Sequence, residues 1–106
     1  MPRLDYGGTP LEVNEAGFLA RPTDWDDGVA RFLARVAEGV TELSDEHWAV
    51  IRYIRGFYEE HGLAPLIRKI CKTTGITLKR IYVLFPSGPA IGACKVAGLP
   101  SPDGCI

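Results

Sequence analysis

Between Thr23 and Pro86 the chain is cut into four apolar-periodic stretches, each opened by a capping residue or proline and closed by glycine or proline. That punctuation is a strong constraint, because it leaves room for short helices packed side by side. The first is expected to start near Thr23. Asp24, Asp26 and Asp27 put negative charge on its first turn, Val29, Phe32, Leu33, Val36 and Val40 recur at helical spacing, and Gly39 ends it. Ser44 caps the second, where Val50, Tyr53, Ile54, Phe57 and Tyr58 form an apolar face that Trp48 and Ile51 broaden. Such a wide face marks the central core helix, which Gly62 closes. Pro65 suits the first turn of a third helix, with Leu66, Ile67, Ile70 and Cys71 inward and Thr74-Gly75 at its end. Thr77 caps a fourth, with Leu78, Ile81, Tyr82 and Phe85 on one face and Pro86 as its stop. It is so short that packing must hold it, not propensity.

The flanks read differently. In residues 4–19, Leu4 and Tyr6, then Leu11 and Val13, alternate with polar neighbours around Gly7-Gly8, the pattern of a β-hairpin. Pro10 restricts its segment to an edge or a strand start. Asn14-Glu15-Ala16-Gly17 is a second turn, followed by Phe18-Leu19. From Pro86 to Ile106 glycine and proline punctuate the chain, residues 90–97 can hold a short helix, and residues 99–106 read as a mobile arm. The expectation is one mainly α domain over residues 1–106: a small N-terminal β-hairpin (4–19), a compact helical bundle with a helix-turn-helix-like pair (23–85) and a C-terminal cysteine arm (86–106).

A chain of 106 residues with 46% hydrophobic and 24% charged residues is neither disordered nor collagenous. It has little room for a large substrate pocket, which favours a carrier, adaptor or binding module over a self-contained enzyme. No window of 18 apolar residues and no apolar leader are visible, so neither membrane insertion nor secretion is expected. Three cysteines do not make a disulfide framework, and a cytoplasmic location is the expectation.

The net charge of −1 hides an asymmetry. Residues 1–60 carry twelve acids against six bases; beyond them Arg68, Lys69, Lys72, Lys79, Arg80 and Lys95 face one acid, Asp103. A basic half on a near-neutral protein points to an anionic partner surface, either nucleic acid or an acidic protein cleft. Internal neutralisation between the halves is the plainer alternative. The pair of short helices around Thr74-Gly75 has the layout of a helix-turn-helix, yet its second helix offers Lys79 and Arg80 without an Asn or Gln to read adenine.

Cys94 and Cys105 stand out. A thiol one residue from the chain end is poorly explained by packing. Extended, the two would stand roughly 36–40 Å apart; folded back they can meet, since closing so short a loop costs little. Asp103 and the terminal carboxylate would raise the pKa of Cys105, so its activation must come from a partner or from the basic face. Neither a CxxC motif nor a phosphate loop, nucleophile elbow or carboxylate pair is visible. Cys71 reads as a core residue, His47 as a first-turn surface residue and His61 as a dipole partner at a helix end. Their spacing fits no zinc pattern, so neither metal nor cofactor is expected. Trp25, Trp48, Phe57, Tyr58, Tyr82 and Phe85 read as core rather than as base-stacking residues.

The stretch Leu84-Phe85-Pro86-Ser87-Gly88-Pro89-Ala90-Ile91-Gly92-Ala93-Cys94-Lys95-Val96-Ala97-Gly98-Leu99-Pro100, with Gly104-Cys105-Ile106 at the end, strongly resembles the DsrC/TusE family. Glu46-His47-Trp48, Arg52-Tyr53-Ile54-Arg55, Phe57-Tyr58, Ala64-Pro65 and residues 14–19 extend the resemblance over essentially the whole chain. It implies a hairpin, a helical bundle and a mobile arm. It also implies that Cys105 accepts sulfur in the cleft of dissimilatory sulfite reductase (its alpha and beta subunits) near the sirohaem. Cys94 would be its partner thiol, closing a trisulfide that a membrane-linked reductase later reduces. The upstream cysteine and the short 73–81 connector look like the members that serve sulfite reduction. Relay members for tRNA 2-thiouridine synthesis lack that cysteine. Two departures stand out: Ser101-Pro102-Asp103 replaces the usual basic residue before the proline and threonine after it, and Cys71 is not part of the family pattern. Three alternatives remain: a tRNA-thiolation relay, a helix-turn-helix DNA-binding regulator, and a general thiol oxidoreductase.

Overall fold

In the computed structural model, which describes residues 3–101, the chain opens with a two-stranded antiparallel hairpin. Strands β1 (Arg3–Tyr6) and β2 (Thr9–Glu12) pair Leu4 with Leu11, and Gly7 and Gly8 turn between them. Both glycines have positive φ, 56° and 88°, as a tight two-residue turn requires. Pro10 is tolerated because this ribbon has two edges and one strand neighbour only. The expected second turn is also present: Asn14 Oδ1 accepts from the amides of Ala16 and Phe18, and Val13 bridges to Leu19.

Four helices follow at the predicted places: α1 (Asp27–Glu38), α2 (Asp45–His61), α3 (Ile67–Thr74) and α4 (Leu78–Leu84). Their ends obey local chemistry. Asp26, Ser44 and Thr77 side chains accept from backbone amides at the starts of α1, α2 and α4. Gly39, Gly62 and Gly75 end α1, α2 and α3 in the left-handed conformation. The start of α1 differs from expectation: Asp26 caps it, not Thr23. Pro22–Asp24 forms a separate single 3₁₀ turn, and Trp25 is extended so that its indole turns toward the body.

The buried stripe of α1 also differs. Val29, Ala30, Leu33 and Ala34 are buried while Val36 is 51% exposed. The small residues win because the segment that packs there is itself small-faced, with Ala93 and Ala97 fully buried. On α4, Ile81, Leu84 and the following Phe85 are buried, but Leu78 and Tyr82 are exposed. Leu66, expected inward on α3, is exposed as well. Helices this short bury one narrow stripe each, so residues at its margin stay in water.

The last described stretch is the main departure in packing. The expected short helix forms as a π-type turn (Pro89–Ala93) running into α5 (Cys94–Val96). It lies against α1 and α2, and α3 packs on α2. Leu99, read as the first residue of an arm, is 1% exposed and belongs to the same core as Phe18, Leu33, Ile54 and Phe85. As far as Leu99 this stretch is part of the packed body, because its apolar side chains complete the core of a thin bundle. Among the described residues no helix is long and apolar enough to cross a membrane.

Candidate functional site: the cysteine segment and its root

Cys94 starts α5 and is fully buried. Cys105 lies outside the described residues. Cys71 is half-buried on α3, at the edge of the core.

The main chain after Cys94 is held by side chains from three distant elements. Trp25 donates its indole N–H to the Val96 carbonyl at 2.9 Å. Arg55, on α2, donates from Nη1 to the carbonyls of Ala97 and Gly98 at 3.4 and 3.3 Å, and from Nη2 to that of Pro22 at 2.9 Å. Its Nε reaches Glu59 at 3.2 Å. Asn14 donates from Nδ2 to the Pro100 carbonyl at 3.1 Å. These carbonyls are the kind of acceptor that a helix end leaves without a helical partner. The guanidinium carbon of Arg55 sits 4.8 Å from the Trp25 ring centroid and 5.9 Å from that of Tyr58. Gly98 turns the chain at φ 79°, and a Cβ there would run into the Trp25 indole. Beside this stretch is a recess of about 130 Å³ whose walls include Tyr58, Leu63, Leu99 and Ser101.

His47 was expected at the surface, but it is 8% exposed. Its Nε2 stands 2.9 Å from the Leu84 carbonyl, so that nitrogen carries the proton. Nδ1 is then an acceptor and takes the Ser44 amide at 3.0 Å, while the His47 amide donates back to Ser44 Oγ. The ring also stands edge-on to Phe85 at 5.2 Å between centroids. His47 thus joins the start of α2 to the end of α4. Burial pushes its pKa below the ordinary histidine value, against the Leu84 bond and the Glu46 charge, which raise it. His61 lies at the other end of α2, exposed, with its ring 4.3 Å from that of Phe57.

The six basic residues lie on three elements, α3, α4 and α5. Arg68, Lys69 and Lys72 are exposed on α3, and Lys79 is exposed on α4. Arg80 pairs with Glu46 at 2.7 Å, an exposed ion pair whose hydrogen bond lowers the Glu46 pKa and raises that of Arg80. Lys95, on α5, lies over the Phe18 ring at 5.3 Å.

Sequence reading missed Arg55, Trp25, Asn14 and His47 as contacts to distant parts of the chain. A signal existed for Arg55: it falls one turn from Ile51 on the apolar side of α2, with Glu59 one turn further on. Nothing local marks the reach of Asn14 to Pro100, 86 positions away.

The family model described as "DsrC like protein" matches residues 5–106. The chain belongs to the DsrC-like family. Among its relatives, the dissimilatory-type sulfite reductase subunit gamma of Nitratidesulfovibrio vulgaris is 42% identical over 106 residues, covering all of both chains. The sulfurtransferase TusE of Yersinia pestis is 38% identical over 110 residues, covering 97% of this chain and 99% of that one. The fold is shared too. The oxidised gamma subunit of the dissimilatory sulfite reductase (DsrC) from Archaeoglobus fulgidus superposes with a TM-score of 0.89 at 41% identity, over 99% of this chain and all of that one.

Proposed function

We propose that this protein is a sulfur-carrying co-substrate of a dissimilatory-type sulfite reductase, rather than an enzyme by itself. One observation carries the reading: a chain that aligns end to end with a gamma subunit holds two thiols, Cys94 and Cys105, eleven positions apart. The alignment with that subunit spans 106 residues, the length of this chain. The Yersinia pestis TusE needs 110 positions to cover 97% of it, so that relative has residues this chain lacks.

In this reading the reductase part-reduces sulfite at its own metal centre and Cys105 captures the sulfur. Cys94 then closes onto the adduct as a trisulfide. The electrons balance: sulfite, two thiols, two electrons and four protons give the trisulfide and three waters. Four more electrons and four protons from a membrane-linked trisulfide reductase return both thiols and release hydrogen sulfide. Arg68, Lys69, Lys72 and Lys79, with Arg80 and Lys95 in support, would steer the protein to an acidic cleft. All of this fits a cytoplasmic protein, where thiols stay reduced between turnovers.

The test is intact mass after sulfite turnover with a dissimilatory sulfite reductase. A gain of one sulfur bridging Cys94 and Cys105, absent in Cys105→Ala, is expected. An unchanged mass with a competent reductase would overturn the reading. The TusE relatives favour a second reading, a relay step in tRNA thiolation. There Cys105 alone suffices, so Cys94→Ala would stay active.

A further inference from the structure

We infer that Glu38 is a positioning residue for the Cys94 thiol: its carboxylate latches the turn that leads into Cys94, and release of that latch makes the buried thiol accessible. The inference rests on the carrier reading above, in which Cys94 reacts. In the packed body Cys94 is 0% exposed, so a reagent reaches its sulfur only after part of the chain moves aside.

The stretch from Ser87 to Gly98 is tied down unequally. Downstream of Cys94, Trp25 and Arg55 hold the carbonyls of Val96, Ala97 and Gly98 through buried or part-buried bonds. Upstream, Glu38 at the end of α1 accepts from the Ser87 amide at 2.9 Å and from its hydroxyl at 2.7 Å, and both bonds are exposed to water. The same carboxylate lies against Gly92, where a Cβ would run into it. One side chain therefore closes over both ends of the π-type turn, whose last bond runs from the Cys94 amide to the Pro89 carbonyl. Exposed bonds open at lower free energy than buried ones, so local opening starts at this end. Packing resists it modestly. The buried residues of the turn, Pro89, Gly92 and Ala93, are small, and Ile91 is already 45% exposed, so lifting the turn uncovers little apolar area. Phe85 and Val96, both fully buried, anchor the chain on either side.

The test is the rate at which iodoacetamide alkylates Cys94 in the full chain, in a Cys71→Ser, Cys105→Ser background that leaves one thiol. When opening and closing are fast, that rate is the intrinsic thiol rate multiplied by the open fraction. Glu38→Ala removes both acceptors and is expected to raise the rate about tenfold, the scale of one or two net hydrogen bonds. Glu38→Gln keeps one acceptor and should raise it less. In Ser87→Ala, which keeps the amide bond, adding Glu38→Ala should accelerate alkylation less than it does alone. The ratio of variant to wild-type rates should stay constant from about pH 7 to about pH 9, because access changes and the thiol's own titration does not. Ile70→Val, at a fully buried position of α3, should lower global stability in urea and leave the rate unchanged. An unchanged rate in Glu38→Ala would overturn the inference; if that variant does not fold, an unchanged rate in Glu38→Gln does the same. So would alkylation that tracks global stability in every variant, or a rate ratio that collapses to one at high pH. Absence of sulfur uptake by the wild type from sulfite and a reductase would sink the carrier reading alone, since alkylation needs no reductase.

Discussion

Substituting His47 by alanine should cost more stability than its place in a first helical turn implies. The substitution orphans the buried Leu84 carbonyl, whose hydrogen bond is to the His47 ring. An unsatisfied buried carbonyl costs about 1–3 kcal/mol. Loss of the edge-on contact with Phe85 adds about 0.5–1.5 kcal/mol. The Ser44 amide can turn to water and adds little. The sum is about 2–4 kcal/mol, equivalent to a drop in Tm of about 10–20 °C in a domain this size. The same residue fixes a pH dependence. Its folded pKa lies below the ordinary value, because burial disfavours the charged ring and Nδ1 already faces a donor. Between the two pKa values the unfolded chain binds more protons, so stability rises with pH there. The full contribution is present above the ordinary histidine range. It is lost as pH falls toward the folded value, at about 1.4 kcal/mol per unit of separation. Urea denaturation followed by tryptophan fluorescence, from pH 7.5 down to pH 5, measures both effects. Wild type should lose stability across that window and His47→Gln should have a flatter profile. Parallel profiles, or a loss under about 1 kcal/mol in His47→Ala, would refute the reasoning.

Other substitutions test the packing and the root separately. Gly98→Ala should destabilise by at least about 1 kcal/mol in urea melts, because φ is positive and the Trp25 indole occupies the space for a Cβ. Leu33→Ala, at a fully buried position of α1, should cost about 2–5 kcal/mol by the same measurement. Trp25→Phe keeps most of the ring and loses the bond to Val96, so about 1 kcal/mol is expected. The carboxyl of Glu46, followed by NMR titration, should titrate below the ordinary glutamate range in wild type and return toward it in Arg80→Ala or at high salt. A salt-insensitive Glu46 would mean that the Arg80 pair does not hold in solution.

Much of the site was legible one residue type at a time. Cys94 and Cys105 were conspicuous because both fall in the stretch that resembles the DsrC/TusE family. The burial of Cys94 was not legible. Residues 90–97 were legible as a short helix, but not that their small residues let it pack closely against α1 and α2. The basic residues were legible as a charge imbalance, but the pairing of Arg80 with Glu46 and the placing of Lys95 over Phe18 were not.

The sequence by itself determined the local events. Gly7-Gly8 sets the hairpin, Ser44 and Thr77 open helices, and Gly39, Gly62 and Gly75 end them. Each depends on groups within four residues, so a linear reading contains its cause. Tertiary structure decided what those elements enclose. It buried His47 rather than exposing it, and turned Arg55, Trp25 and Asn14 toward one stretch of main chain. Those contacts join positions between 37 and 86 residues apart. Their physical cause is the need to satisfy buried carbonyls wherever the chain brings them, and no local pattern encodes that.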